Sequence, residues 1–197
     1  ILACGAAHRH LGLAREETLA GISYCAICDG AFYKGKDVAV VGGGNSAVQS
    51  ALLLAELCRH VTLIHRRAEF RCEPVLLDRL QKAQNVSIRT GGVINALLGE
   101  EKLSGLEVQF GEKKETLSAD GLFVAIGQTP ANGPFQTLVK LDQEGYILAG
   151  EDCKTSAEGV FAAGDCRQKQ VRQLATAAGD GAVAGLAANA YLEASGS

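Results

Sequence analysis

Tryptophan and methionine are absent from this sequence, there are only 3 prolines and 4 histidines, and charged residues amount to 21%. So few charges cannot keep a chain that is 47% apolar from collapsing, which excludes a disordered polymer. The formal net charge is -3, so no general basic field invites nucleic acid. No run approaches the roughly 18 uninterrupted apolar residues of a membrane span. No secretory leader is visible either. Ile1 to Ala7 is apolar but leads straight into His8-Arg9-His10, with no basic start and no cleavage-type ending. The missing initiator methionine leads us to expect that the chain starts inside a longer protein.

What is present points to an α/β fold. The chain has 197 residues, enough for one or two small domains with real cores. Its 24 glycines, with abundant Ala and Val, suit an alternation of strands and helices with tight turns. The 7 cysteines are odd in number and unevenly spaced, unlike a secreted disulfide framework. They read as a reducing compartment. One pair, Cys25 and Cys28, is set apart by its spacing.

Three parts follow along the chain, 1–21, 22–130 and 131–197. In the first, Ile1 to Ala6 looks like the end of a buried strand turning at Gly5, too short to stand without a sheet made elsewhere. In the second, strands are expected at Asp37 to Val41, Val61 to His65, Val86 to Arg89 and Gly121 to Ile126. Helices are expected at Asn45 to Cys58 and at Arg71 to Ala83, with Pro74 near the start of the latter, where a missing amide costs little. Leu103 to Phe110 and Lys113 to Leu117 read as a hairpin around Gly111. This is a βαβαβ pattern with an antiparallel meander, hence a mostly parallel sheet. In the third part, Gly145 to Leu148 and Gly159 to Asp165 read as strands. Gln173 to Tyr191 reads as a helix whose Gly179, Gly181 and Gly185 would let backbone or ligand approach. Glu193 to Ser197 read as a frayed end.

Gly42-Gly43-Gly44-Asn45-Ser46-Ala47 satisfies G-x-G-x-x-A directly after a strand and at the opening of a helix, the context that gives the pattern meaning. Gly42 would allow the tight turn, Gly44 would let a pyrophosphate approach the backbone, and Ala47 would let helix and strand pack closely. Asn45 and Ser46 could add side-chain contacts at the helix N-terminus. A plain glycine turn is the bland alternative. Where NAD sites place a carboxylate after the second strand, this chain has His65-Arg66-Arg67 and then Arg71. Guanidinium groups would pair with a 2'-phosphate, so NADPH is favoured over NADH. A solvated basic surface is the competing reading.

Cys25-Ala26-Ile27-Cys28-Asp29 is the candidate redox centre. Two thiols at this spacing can close a disulfide, one attacking and exposed, the other resolving. Zinc would need four ligands, and no second CxxC or close His/Cys cluster supplies them, so no metal is expected. An inert buried pair is the other alternative. Asp29 could shuttle the proton that thiol chemistry needs, or merely sit in the turn before Gly30. A disulfide does not readily accept hydride directly, so a thiol pair beside a nicotinamide site implies a flavin between them.

The segment Tyr24 to Tyr33, the glycine loop, His65-Arg66-Arg67, Gly121 to Gly127 and Gly159 to Cys166 occur in an order that resembles the low-molecular-weight, bacterial-type thioredoxin reductases, class II pyridine nucleotide-disulfide oxidoreductases. The resemblance covers essentially the whole chain. It implies a Rossmann-like NADPH-binding domain inserted in a second Rossmann-like, FAD-binding domain. Only the C-terminal part of that second domain, with the end of its first segment, is represented here. It further implies that Asp165 holds the flavin ribityl chain, that Arg172, Gln173 and Leu174 sit by the isoalloxazine, and that Ile126 and Gly127 belong to the cofactor-binding set. Cys28 would face the flavin and Cys25 would attack the disulfide of thioredoxin. The working protein would be a cytoplasmic homodimer whose NADPH domain rotates between feeding the flavin and exposing the thiols.

Departures from the family pattern are specific. The first flavin-phosphate loop is missing, Ser46 stands where Thr is usual, Cys166 is unusual, and Cys58 and Cys72 are extra. Each of these three cysteines has a bland reading as a small buried side chain. Three functions therefore stand side by side: part of an NADPH–thioredoxin reductase, a related flavin enzyme serving another partner such as a peroxiredoxin-reducing protein, or a nucleotide-binding module without turnover.

Overall fold

The computed structural model describes residues 1–196. In chain order its strands and α-helices are β1 (Ala6–His8), β2 (Ile22–Ser23), α1 (Ala26–Asp29), β3 (Asp37–Val41), α2 (Asn45–Leu57), β4 (His60–His65), α3 (Pro74–Gln81), β5 (Val86–Thr90), β6 (Gly92–Leu98), β7 (Gly105–Phe110), β8 (Lys113–Ser118), β9 (Gly121–Val124), β10 (Gln128–Pro130) and α4 (Leu174–Ser195). They form two compact units. One is Arg9–Gly127; the other joins Ile1–His8 to Gln128–Ser197.

The Arg9–Gly127 unit is built on a five-stranded sheet in the order β2-β9-β3-β4-β5, parallel throughout. Val38, Ala39, Val40 and Val41 are all buried, the continuous apolar run expected of a strand covered on both faces. On one face lies α2, whose Ala47, Val48, Ala51 and Leu54 recur at helical spacing and are buried. Leu54 alone contributes roughly 2 kcal/mol of apolar burial. The other face is covered by the antiparallel sheet β6-β7-β8 and by Leu11, Leu13 and Leu19 of the preceding segment. The N–H of Arg9 donates to the Gly127 carbonyl at 3.0 Å, so the unit's two ends meet.

The parallel sheet and antiparallel meander agree with the sequence reading, and three details correct it. First, β6 falls in a stretch to which the sequence reading assigns no element; a Cβ on Gly92 would meet the Phe110 ring at 2.5 Å, so this glycine lets two strands approach. Second, the helix expected from Arg71 begins at Pro74. Residues 71–73 are occupied otherwise: the Arg71 N–H donates to the Gly43 carbonyl at 2.7 Å and the Glu73 N–H to Asn45 Oδ1 at 2.8 Å. Third, the strand from Gly121 stops at Val124, although the Ala125 N–H still bonds the Val41 carbonyl at 2.8 Å.

The other unit is thinner. β1 pairs antiparallel with β10. The segments expected as strands at Gly145 to Leu148 and Gly159 to Asp165 are not strands: Ile147 pairs singly with Leu141 and Arg167, Phe161 with Lys154, and Ala162 with Leu2. Two small clusters, around Val139 and Ile147 and around Cys153 and Phe161, form its core. Helix α4 runs to Ser195 and ends on Gly196 in the left-handed conformation (φ 69°), so Glu193 to Ser195 are helical rather than frayed; Ser197 lies outside the described residues. Gly179, Gly181 and Gly185 face open space. Among the described residues no helix is long and apolar enough to cross a membrane.

Candidate functional site

Because β2, β9, β3 and β4 are parallel neighbours, their carboxyl ends lie along one edge of the sheet. Open α/β sheets receive ligands outside that edge. There β2 leads into Cys25, β3 into Gly42, β4 into Arg66, and β9 into Ala125, Ile126 and Gly127. Residues far apart in sequence are thus delivered to one place by strand direction alone.

Cys25 and Cys28 are joined as a disulfide. Cys25 is the N-cap of α1, and its sulfur accepts the Cys28 N–H at 3.2 Å. Behind them Ser23 is buried. Its hydroxyl accepts the Cys25 N–H at 3.1 Å and donates to Asp29 Oδ2 at 2.7 Å. Asp29 is therefore tied to the backbone that carries the first cysteine. Burial, with the Asp29 charge second, pushes the Tyr33 phenol up from its ordinary value. Sequence reasoning missed Ser23; the available signal was a hydroxyl ending a buried strand just ahead of the cysteine pair. Cys28 is exposed and Cys25 half-buried, the reverse of the expected order. Ile27 and Phe32, 74% and 73% exposed, give the disulfide an apolar rim.

The glycine loop divides its work. Gly42 has φ 151°, and a Cβ there would meet the Ala125 carbonyl oxygen at 2.2 Å and Ala47 Cβ at 2.8 Å. It permits close packing of loop, strand and helix. Gly44, the N-cap of α2, has nothing within 4 Å of an added Cβ, so its space is open to a ligand. The middle residue Gly43 was overlooked in the sequence: a Cβ there would meet the His65 ring at 2.1 Å. His65 is buried against this glycine, with Nε2 3.0 Å from the Glu69 carbonyl oxygen and its ring 4.9 Å from Phe70. The Asn45 amide donates to Glu73 Oε1 at 2.9 Å, so this side chain holds the loop to the start of α3. Ser46 is exposed beside it, and Ala47 is buried. Arg66, Arg67 and Arg71 are exposed, and none of them has an ion-pair partner among the described residues.

The segment ahead of the cysteines is anchored by Glu16, also missed in the sequence. Its carboxylate accepts the N–H groups of Leu11 (2.8 Å), Gly12 (2.9 Å) and Leu13 (3.3 Å) and the Tyr24 hydroxyl (2.9 Å). Burial opposes its ionisation, but these four donors prevail and hold the carboxyl below its ordinary value. Burial, then the bond to Glu16, raises the Tyr24 phenol. Tyr24 thus fixes the residue before Cys25 to the entering chain.

In the other unit, Asp165 Oδ1 is buried and has no hydrogen-bond partner. A buried acceptor of this kind calls for a donor, and a ribityl hydroxyl would be one. Arg172 Nε donates to the Asp165 carbonyl at 3.4 Å, and its guanidinium lies 3.9 Å over the Tyr146 ring. Gln173 caps α4 through a reciprocal box with Thr176, and Leu174 is 88% exposed. Asp180 of α4 accepts the Gly164 N–H at 2.9 Å, which steadies the turn carrying Asp165. It also makes a bidentate bond to Arg167 (2.8 and 2.7 Å) and receives Lys169 at 2.8 Å. Arg167 leads these contacts in pulling the Asp180 carboxyl far below its ordinary range.

The sequence pattern of the family described as pyridine nucleotide-disulphide oxidoreductase matches residues 1–181. A thioredoxin reductase of Listeria innocua is 40% identical over 198 residues, covering 98% of this chain and 62% of that protein. One of Mycoplasma genitalium is 44% identical over 189 residues, covering 93% and 60%. The crystal structure of thioredoxin reductase from Streptococcus pyogenes superposes with a TM-score of 0.89 at 38% identity, covering 98% of this chain and 64% of that one. The chain thus spans about three fifths of the length of such relatives.

Proposed function

The chain belongs to the pyridine nucleotide-disulphide oxidoreductase family, and on that premise we propose that it is the nucleotide- and thiol-bearing portion of an NADPH-dependent reductase of protein disulfides with a thioredoxin-type partner. The observation that carries this reading is the shared carboxyl edge, where the Cys25–Cys28 disulfide and the Gly42–Ala47 loop emerge from strands of one sheet. In this reading Gly42, Gly44, Asn45, Ser46, Ala47 and the loop amides receive the pyrophosphate of NADPH. Arg66, Arg67 and Arg71 pair with its 2'-phosphate, and His65 supports the loop through Gly43. Ile126 and Gly127 border the same edge. Asp165, Arg172, Gln173 and Leu174 would hold part of FAD, and a flavin bound there would turn a two-electron hydride donor into a reductant for a disulfide. The relatives' additional length would supply the remainder of that site. The setting is a reducing cytoplasm, consistent with five free cysteines, and the complete protein is a homodimer.

The residues of the chain then act as follows. Reduction of the Cys25–Cys28 bond leaves two thiols, with Asp29 delivering a proton from the position set by Ser23. The Cys25 thiolate attacks one sulfur of the partner's disulfide and the other partner sulfur leaves as thiolate. Cys28 then gives up its proton to Asp29 and attacks Cys25, which closes the ring and releases the reduced partner. Ile27 and Phe32 offer the partner an apolar rim.

The test begins with the chain reduced chemically and mixed with oxidised thioredoxin. The wild-type chain reduces the thioredoxin disulfide to two thiols and closes its own Cys25–Cys28 disulfide, whereas Cys28→Ser traps a mixed disulfide through Cys25 and still binds NADPH by titration. Trapping by Cys25→Ser instead would reverse the two cysteine roles, and no transfer from the wild-type chain would sink the assignment. A second measurement addresses the nucleotide. Replacing Arg66 and Arg67 together by Ala should weaken NADPH at least about tenfold, the scale of one or two lost charge-assisted bonds, and leave NADH nearly unchanged. Equal weakening of both would remove the 2'-phosphate from the picture.

A further inference from the structure

Five cysteines lie outside the redox turn, and two of them, Cys4 and Cys166, are tied to the same side chain, Asn132. Leu2 pairs with Ala162: its N–H donates to the Phe161 carbonyl at 2.7 Å, and the Ala163 N–H returns to the Leu2 carbonyl at 2.9 Å. Two residues on, the Cys4 thiol donates to Asn132 Oδ1 at 3.2 Å. The amide of the same Asn132 donates to the Cys166 carbonyl at 2.7 Å, and to Gly145 at 2.8 Å. Asn132 is almost wholly buried, so its two ends fix both cysteines to one point of the fold. The Cys166 thiol lies 3.2 Å from the Ala163 carbonyl oxygen and 3.6 Å from that of Leu2. The Cys4 and Cys166 thiols are thereby held on one knot formed by Leu2, Asn132 and the Gly164–Cys166 turn. Cys4 is exposed and Cys166 is buried, the arrangement of an accessible attacker with a sheltered resolver.

We propose that Cys4 and Cys166 form a second oxidisable dithiol, a modification site at which a peroxide closes a disulfide between the first residues of the chain and the Gly164–Cys166 turn. The Cys4 thiolate attacks one oxygen of hydrogen peroxide; the O–O bond breaks, Cys4 becomes a sulfenic acid, and the departing hydroxide takes up the thiol proton as water. The Cys166 thiolate then attacks the Cys4 sulfur; the S–S bond forms, the S–O bond breaks, and the second hydroxide takes up the second proton as water. Two thiols lose two electrons and two protons, and one peroxide gains them. Burial, followed by the proximity of Cys166, raises the Cys4 thiol above its ordinary value. Closure is accordingly faster in alkaline buffer than at neutral pH. The site is separate from the Cys25–Cys28 pair and does not depend on flavin or nucleotide.

The experiment treats the chain, with Cys25–Cys28 already oxidised, with stoichiometric hydrogen peroxide. The product is denatured in an alkylating reagent, digested and analysed by mass spectrometry. Alkylatable cysteines should fall from the five free ones by two, and the joined peptides should contain Cys4 and Cys166. Cys4→Ser, at an exposed position, should keep the native circular dichroism and lose no further thiol. Cys166→Val should likewise abolish the cross-link. Oxidation of Cys4 to the sulfinic acid with no cross-link, or the same loss of two thiols in Cys4→Ser, would overturn the proposal.

Discussion

Helix α2 presses Ala47, Val48, Ala51 and Leu54 against a five-stranded sheet, whereas α4, with 22 residues against 13, buries only Asp180 and Ala184. Both helices are Ala-rich and apolar. Their surroundings differ because the first has a complete sheet to lie on, while the strand-like segments beside the second pair at single positions. What holds each unit together differs accordingly. The Arg9–Gly127 unit has two extended apolar clusters, one on each face of its sheet. The other unit has two small clusters and a buried ionic knot of Arg167, Lys169 and Asp180. An apolar helix sequence therefore tells that a helix forms, but not what covers it. In the proposed reading, the partner of α4 belongs to the additional length found in the relatives.

That contrast can be broken by experiment. The largest effect is expected from Asp180→Asn, which would leave the buried Lys169 without a countercharge and Arg167 with only the exposed Glu151, and should destabilise its unit by about 4 kcal/mol. Hydrogen exchange followed by mass spectrometry would show lost protection in α4 and Gly164–Cys166, with α2 unaffected; equal loss in α2 would contradict separate support of the units. Next, Leu54→Ala should cost about 3 kcal/mol by urea denaturation, because it opens a cavity under α2. A smaller effect concerns pH. The lowered Glu16 carboxyl stabilises the fold above the ordinary glutamate value of 4.5, and this contribution is lost as pH falls through its lower folded value. The raised Tyr24 phenol contributes below the ordinary tyrosine value of 10.0 and loses that contribution as pH climbs through its higher folded value. Between those limits Glu16→Gln should be less stable than the parent, and the gap should close in acid; a gap independent of pH would remove Glu16's charge as the cause. Smallest of all is Leu186→Ala on α4, where the side chain is 75% exposed, with a change within about 0.5 kcal/mol. A loss comparable to that of Leu54→Ala would mean that α4 already has a cover.

The Arg9–Gly127 unit was legible in the sequence because its signals are local. The apolar run at Val38–Val41 and the 3.6-residue spacing of Ala47, Val48, Ala51 and Leu54 each state which face is buried. What escaped depends on partners distant in the chain. Gly92 carries no strand signal until Phe110 is placed over it, and Gly43 reads as one more loop glycine until the His65 ring occupies its Cβ position. Ser23 and Glu16 are silent for the same reason: a hydroxyl or a carboxylate in a short segment says nothing until Asp29, or three backbone N–H groups, turn toward it. The segments at Gly145 and Gly159 carry strand-like composition, but a strand needs a neighbour along its length, and composition supplies none.

The bond between Arg9 and Gly127 bears on how such a molecule can be assembled or altered. A unit whose entry and exit lie side by side can be set into a surface loop of a host without stretching either chain. The Arg9–Gly127 unit is in that sense a portable cassette. It could be excised, exchanged for a relative's, or reconnected through a short bridge from Gly127 back to Arg9, with its own sheet and core travelling intact.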